Sequence, residues 1–548
     1  MNIAFAKLGV EFIQPLFILH GTILYMTRKT EVWTISLISF AVLLLSASLY
    51  IYGYFHSPEN LNYLGVRANN FPDTNSYLSW IYQASQGHFL FKQLYSTEGS
   101  YGSIFNPAFL VLGLLMRIFG GASILWYHLG RLAAAALFLF TGYSLIKFLI
   151  EESYWRIIAF TVFVTSAGLG WWFSFSADNT QIEVTNFINI HESFINILSL
   201  SIILWVIIIF YYKKLEFYKS VLICAILLNL LIIVHSYDFI VISGILFLLS
   251  MYYVIFEKDY QWIKKFLYII VGTFPGMFFQ LYSMNTNSAI GIWGTIQTKV
   301  PAVPSTLYYL RGVGLQLAFL IIGLLTLPEK QVKKYLPWII WLFLLPIFLF
   351  NPLLFRFQRK LVIGAFIPIS LFTFLGIKWG YYKILKNTQS KISGNLAMWS
   401  VMVLLSLTNF LMLTNDFKSL NNPDLYIDDN TKAGINFLKS APGDIVLSQS
   451  FVGNLIPGLT GKTVFVGHYD QTVDYAQKSV ISKNMLSSHA GTRDPLKFFV
   501  RQENISYIFA DELINSQGGL DTNDRPYLKL VYSNSDVQIY QILPNLLN

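Results

Sequence analysis

The acids, histidines and arginines best suited to chemistry stand in polar intervals between long apolar runs. Asp73 lies in the interval His56–Asn106, after Phe71-Pro72 and before the aromatic-rich YLSWIYQASQG. Asp178 and Glu183 share a second interval, SADNTQIEVTNFINIHES, which closes on His191 and Glu192. His235 and Asp238 form HSYD, and Arg356 and Arg359 belong to NPLLFRFQRK. A carboxylate can take the proton from an attacking hydroxyl, and the planar fork of arginine holds phosphate oxygens in pairs. Acids and arginines at one membrane level would suit a reaction at a lipid-linked phosphate. Each also has a plainer reading. Asp73 or Asp238 could cap a helix, His191 and Glu192 could sit at a solvated interface, and the arginines could anchor in lipid headgroups. His56, His88 and His128 read as interfacial side chains. In VGHYDQTVDYAQK, the spacing of His468, Asp470 and Asp474 matches no dependable ligand pattern, which favours a structural or acceptor-docking loop.

The elements that must hold these residues are mostly helices in lipid. The 548 residues are 55% hydrophobic and 12% charged, with a mean hydropathy of +0.53, the composition of a polytopic α-helical membrane protein. The net charge of +9 does not point to nucleic acid, because Lys and Arg cluster in short loops between apolar runs, where they set orientation. Cys224 is the single cysteine, which excludes an intrachain disulfide and a cysteine metal cluster. No cleavable signal pattern is expected, so the first spans would direct export. The periodic alternation of apolar runs and basic loops predicts about eleven spans. They are expected at Trp33–Phe55, Ile124–Leu149, Ile157–Phe175, Phe194–Tyr212, Val221–Val234, Phe239–Phe256, Phe266–Met284, Leu307–Leu327, Trp338–Phe350, Leu361–Lys383 and Leu396–Thr414. Residues 1–31 form a cytoplasmic or interfacial segment or an extra span, since Glu11, Pro15 and His20 interrupt its apolar run. Residues 32–414 form the membrane domain, with residues 56–106 as its first outer loop, and Pro107–Phe119 is too short to span and reads as a helix lying on the outer face.

After residue 415 the composition changes. TKAGINFLKS reads as a helix, while GDIVLS, KTVFVG, ISYIFA, LKLVYS and VQIYQI are short β-rich runs bounded by turn residues. Residues 415–548 are therefore expected to form a small α/β domain, placed outside by the charge alternation. It contains no GxGxxG fingerprint.

The combination of FPDTNSYLSWIYQASQG, NPAFLVLGLLMRIFG, the arginine-bearing HLGRLAAAALFLFTGYSLIK and NINIHESF resembles the GT-C superfamily of integral membrane glycosyltransferases, which includes protein O-mannosyltransferases and the aminoarabinose lipid A transferase. HSYD, FNPLLFRFQRK and GNLIPGLTGKTVFVGHYDQTVDYAQK look like a prokaryotic branch of it. The resemblance covers about Trp33 to Thr414. It implies a multi-pass protein of a prokaryotic plasma membrane, a polyprenyl-phosphate sugar as donor and an acceptor hydroxyl of unspecified nature. It further implies Asp73 as catalytic base or metal-binding acid, Asp178 or Glu183 as the acid of the second loop, and Arg356, Arg359 or Arg131 at the donor phosphate. His191 and Asp238 join them as candidate substrate-binding residues. A divalent metal is left open: Thr74 follows Asp73, so no second acid stands beside it. The alternatives are a transporter or flippase for lipid-linked sugars, or a non-catalytic scaffold. A transporter would place charges mid-span, and these spans carry few.

Overall fold

The computed structural model describes residues 28–68, 71–98, 102–168, 193–286, 312–350, 358–489, 494–516 and 519–547. Residues 1–27, Asp178, Glu183, His191 and Arg356 lie outside these residues, and of Arg359 only the backbone is described.

Helix α1 (Arg28–Phe55) leads through the short strand β1 (Leu61–Tyr63) to α2 (Phe71–Ser85), α3 (Pro107–Phe119), α4 (Ser123–Leu149) and α5 (Ser153–Thr165). Next come α6 (Phe194–Ile207), which continues in a π turn to Tyr212, α7 (Phe217–Val234), α8 (Ser236–Phe256), α9 (Gln261–Gly272) and α10 (Phe274–Thr286). Helices α11 (Leu315–Leu325), α12 (Glu329–Phe350), the short α13 (Gln358–Leu361), α14 (Phe366–Thr388) and α15 (Lys391–Ser419) complete the bundle. Among the described residues, eight helical segments are long and apolar enough to cross a membrane: α1, α4, α6 with its π turn, α7, α8, α9 with α10, α12 and α15. The protein is an integral membrane protein. Helices suit that role because each satisfies its own backbone N–H and C=O groups where no water can.

Three expected spans take another form. The run from Ile157 supplies α5, which ends at Thr165 because Ser166 turns extended, with φ −73° and ψ 139°. The run from Leu307 contributes the short α11, which starts after Gly314 at φ 50°. The run from Leu361 supplies α14, an unbroken helix of 23 residues that begins just after Gly364 at φ 89° and is less apolar than the eight. Hydropathy marks apolar runs, but backbone turns set where the helices within them begin or end.

The chain after α15 builds a mixed sheet. Strand β2 (Tyr426–Asp428) enters α16 (Asp429–Ser440), whose first turn is closed by Asp428 accepting from Thr431 N at 2.7 Å. Then follow β3 (Ile445–Leu447), α17 (Ser450–Thr460), β4 (Thr463–Val464), α18 (Tyr475–Leu486), α19 (Pro495–Gln502), β5 (Tyr507–Ala510), α20 (Glu512–Ser516), β6 (Leu528–Ser533) and β7 (Gln538–Ile542). The sheet order is β4-β3-β5-β7-β6, with β3 parallel to β4 and β5, and β7 antiparallel to β5 and β6. Its interior strand β5 is buried along its whole length, as expected where helices cover both faces.

This unit is seated on the first loop of the bundle. β1 pairs antiparallel with β2, Leu61 opposite Asp428 and Tyr63 opposite Tyr426. Buried Arg67 reaches Asp416 at the end of α15 at 2.5 Å. A second segment, residues 93–98, lies along the sheet unit. Leu94 O accepts from Val464 N at 2.9 Å, Gln93 donates to Gln471 Oε1 at 2.6 Å, and Glu98 accepts from Lys478 at 2.7 Å. Helix α2 is thereby packed between α3 and α4 on one side and α17 on the other. The approach of α17 to its own sheet depends on Gly453, where an added Cβ would meet Val466 O at 2.0 Å.

Candidate active site

Asp73 is in the first turn of α2, at the junction of the bundle and the sheet unit. Its Oδ1 lies 3.2 Å from Nε2 of His468. Among the described residues this is the hydrogen bond its carboxylate makes, so capping of its own helix is not the role its side chain takes here. Protein surrounds the group on most sides, yet 46% of its side chain is accessible. Both hold for a residue that lines a recess. The His468 side chain is wholly buried, at 0%.

The turn that carries His468 is fixed from several directions. Its carbonyl accepts from Gln471 N at 3.3 Å and Thr472 N at 2.8 Å. The Thr472 hydroxyl accepts from Gly467 N at 3.2 Å and donates to Tyr95 O at 2.7 Å, and Val473 N donates to the Ser96 hydroxyl at 3.1 Å. The Tyr95 ring stands edge-on to the imidazole, with centroids 5.6 Å apart. Asp470 N donates to Nδ1 of His468 at 3.0 Å. An imidazole nitrogen that accepts carries no proton, so the ring is neutral and Nε2–H donates to Asp73.

Charges complete the recess. Burial pushes the Asp73 carboxyl up, but the His468 hydrogen bond, with the charge of Lys360 on α13, outweighs it and holds the group below its ordinary value. Asp73 is therefore ionised at neutral pH, helped by its place in a helix's first turn. Asp470 is shifted the other way, by burial first and by the charge of Asp73, with Lys360 opposing. Tyr469, 51% exposed, is pushed up to about 12 by burial and by both carboxylates. On the bundle side, Tyr77 stacks on Phe109 at 4.9 Å and on Tyr127 at 6.2 Å, forming an aromatic wall one turn along α2.

Two of the other residues singled out in the sequence, Asp238 and Arg131, are described with their side chains. Asp238 is buried in the first turn of α8, with Oδ2 2.9 Å from His235 Nδ1, on a helix that packs against α13. Arg131 is buried inside the bundle, hydrogen-bonded to the Ser46 hydroxyl, with its guanidinium 4.6 Å above the Tyr50 ring. Arg359 stands next to Lys360 in α13. Sequence reasoning put no role on Lys360. It also left His468 and Asp470 unattached to Asp73, from which nearly 400 residues separate them. Among the described residues, no three His, Cys, Asp or Glu side chains converge to hold a metal. Asp73 Oδ1 already faces a donated proton, and no step is assigned to a cation.

This architecture occurs in solved proteins. The chain superposes on ArnT from Cupriavidus metallidurans bound to undecaprenyl phosphate with a TM-score of 0.53 and 9% identity, over 95% of this chain and 99% of that one. It also superposes on the oligosaccharyltransferase AglB from Archaeoglobus fulgidus, in complex with an inhibitory peptide and a dolichol-phosphate, with a TM-score of 0.51 and 11% identity, over 94% and 75% of the two chains. The fold is that of the GT-C glycosyltransferases. No protein-family model and no curated protein matches the chain. The GT-C likeness thus rests on architecture, in which a membrane bundle is followed by a smaller unit carrying the sheet.

Proposed function

We propose that the protein is a membrane glycosyltransferase that moves a sugar from a polyprenyl-phosphate donor to an acceptor hydroxyl. The observation that carries this reading is Asp73: an ionised, accessible carboxylate held at one oxygen by a buried neutral donor, with a lysine ammonium acting on the same recess. Asp73 takes the proton of the acceptor hydroxyl as its oxygen attacks the anomeric carbon. The bond from that carbon to the phosphate oxygen breaks, and its electron pair leaves with the polyprenyl phosphate. Lys360 stands where its charge can offset the growing negative charge of the phosphate. Such a leaving group needs little protonation, so one general base suffices. Holding acceptor and donor together in the recess supplies much of the remaining rate by proximity.

In this reading the recess and the sheet unit lie on the extracytoplasmic side of a prokaryotic plasma membrane, in keeping with the basic loops at the opposite ends of the spans. Asp178 or Glu183 adds a second acid, Arg356 and Arg359 add to Lys360 at the phosphate, and His191, Asp238 and Arg131 remain secondary candidates for donor contacts. The test incubates purified protein with radiolabelled polyprenyl-phosphate sugars and follows transfer to cell-envelope acceptors. Transfer by the parent and none by Asp73→Asn, with normal membrane insertion of both, supports the reading. Full activity of Asp73→Asn removes Asp73 from the mechanism.

A further inference from the structure

The recess contains a residue whose chemistry the proposed reaction does not use. His468 is wholly buried, so it cannot meet a substrate freely, and its Nδ1 is occupied by the Asp470 N–H at 3.0 Å. Its remaining nitrogen has, among the described residues, one partner, Asp73 Oδ1 at 3.2 Å. A general acid or base must gain and lose a proton at an atom the substrate can reach, and this imidazole has none to spare. What it can do is hold the carboxylate. We propose that His468 is a positioning residue supplied by the sheet unit: a tautomer-locked N–H donor that fixes one oxygen of Asp73 and leaves the other directed to the acceptor hydroxyl.

The proposal rests on the glycosyltransferase reading, but its physical content concerns the carboxylate alone. A carboxylate in a recess can rotate about its terminal torsion, and a misplacement of the reacting oxygen by about 1 Å can cost about 10²-fold in rate. The residues that fix the donor are themselves fixed. Gly467 N and Tyr95 O clasp the Thr472 hydroxyl, Tyr95 packs edge-on against the ring, and Ser96 accepts from Val473 N. Tyr95 and Ser96 belong to the first loop of the bundle, as Asp73 does, so the loop holds the turn that in turn holds its own acid. Among the described residues, the charged and titratable groups facing Asp73 are His468, Tyr469 and Asp470 from the turn, Lys360 from α13, and Tyr77 from α2 itself. Of these, His468 is the one bonded to it.

Two substitutions separate donation from packing. His468→Gln can keep an N–H donor but loses the ring, whereas His468→Phe keeps a ring against Tyr95 and loses the donor. The readout is the pH dependence of Asp73 modification by a water-soluble carbodiimide, whose nitrogen takes the carboxyl proton and whose central carbon is then attacked by the carboxylate oxygen, followed by peptide mass spectrometry on the purified full-length protein. This needs no knowledge of sugar or acceptor. The midpoint of Asp73 labelling should move upward by about one pH unit or more in His468→Phe and stay near the parent's in His468→Gln. In the transfer assay, kcat should fall about 10²-fold in His468→Phe with KM little changed, and recover in large part in His468→Gln. A labelling midpoint unmoved in His468→Phe, or a His468→Gln protein as impaired as His468→Phe, overturns the proposal. An Asp73→Asn protein that still transfers sugar overturns the catalytic reading instead, and leaves the labelling result to decide the positioning role by itself.

Discussion

Two acids mark opposite ends of the first membrane helices, and they are treated in opposite ways. Glu31, at the start of α1, receives Nε and Nη2 of Arg156 at 2.6 Å each and the Tyr143 hydroxyl at 2.5 Å, and its side chain is 2% exposed. Asp73, at the other end, has among the described residues a single neutral donor, and an accessible face. The Glu31 carboxylate has a full set of bonds within the protein and joins α1, α4 and α5. That of Asp73 is left with acceptor capacity, in a recess where the His468 hydrogen bond, with Lys360, keeps it ionised. A saturated acid is a joint, and an acid with room for one more partner is a place for a substrate.

The largest expected effect breaks this comparison at its open end. Asp73→Asn should lower kcat by about 10²–10⁴-fold while thermal unfolding stays close to that of the parent, measured by transfer assay and differential scanning fluorimetry on the same preparation. Glu31→Gln should do the reverse. Removing one partner of a buried ion pair strands the other charge, so the variant should lose about 3–5 kcal/mol of stability, with unchanged kcat in the fraction that remains folded. If both substitutions affect rate and stability alike, the distinction between joint and site is wrong.

A smaller effect sharpens the charge balance around Asp73. Lys360→Met should cost about a hundredfold in kcat, as expected for losing one group that stabilises developing charge. It should also raise the pH midpoint of Asp73 labelling, because the ammonium contributes to holding that carboxyl down. The smallest effect is one of pH on the parent protein. A carboxylate depressed in the folded state contributes stability that is fully present above its unfolded value, about 3.9, and is lost as pH falls through the folded one. Initial transfer rates should therefore show no acid limb from Asp73 at the ordinary carboxylate value. A limb centred well above pH 4 that Asp73→Glu displaces would contradict the low value assigned to this group.

Much of the fold was legible because lipid imposes a simple rule on sequence: long apolar runs, interrupted by basic loops. Eight of the expected spans correspond to long apolar helices, and the β-rich runs LKLVYS and VQIYQI coincide with or overlap β6 and β7. Turns such as those at Ser166 and Gly364 were not legible, because an apolar run looks alike whether or not its backbone bends within it. α17 was missed for a related reason. FVGNLIPGLT has two glycines and a proline and reads as loop, yet packing against α2 and the sheet holds it helical.

At the site the division is sharper. The sequence by itself determined that the protein lives in a membrane, and that Asp73 stands in its first long polar interval among aromatics. Only the tertiary structure decided that this acid is met by His468 and Lys360, because no local pattern encodes a contact across nearly 400 residues. That contact depends on β1 pairing with β2 and on residues 93–98 lying along the sheet unit. It also decided the state of the imidazole. A histidine in a sequence can be an acid, a base or a ligand, and here a single backbone N–H on its other nitrogen makes it a donor.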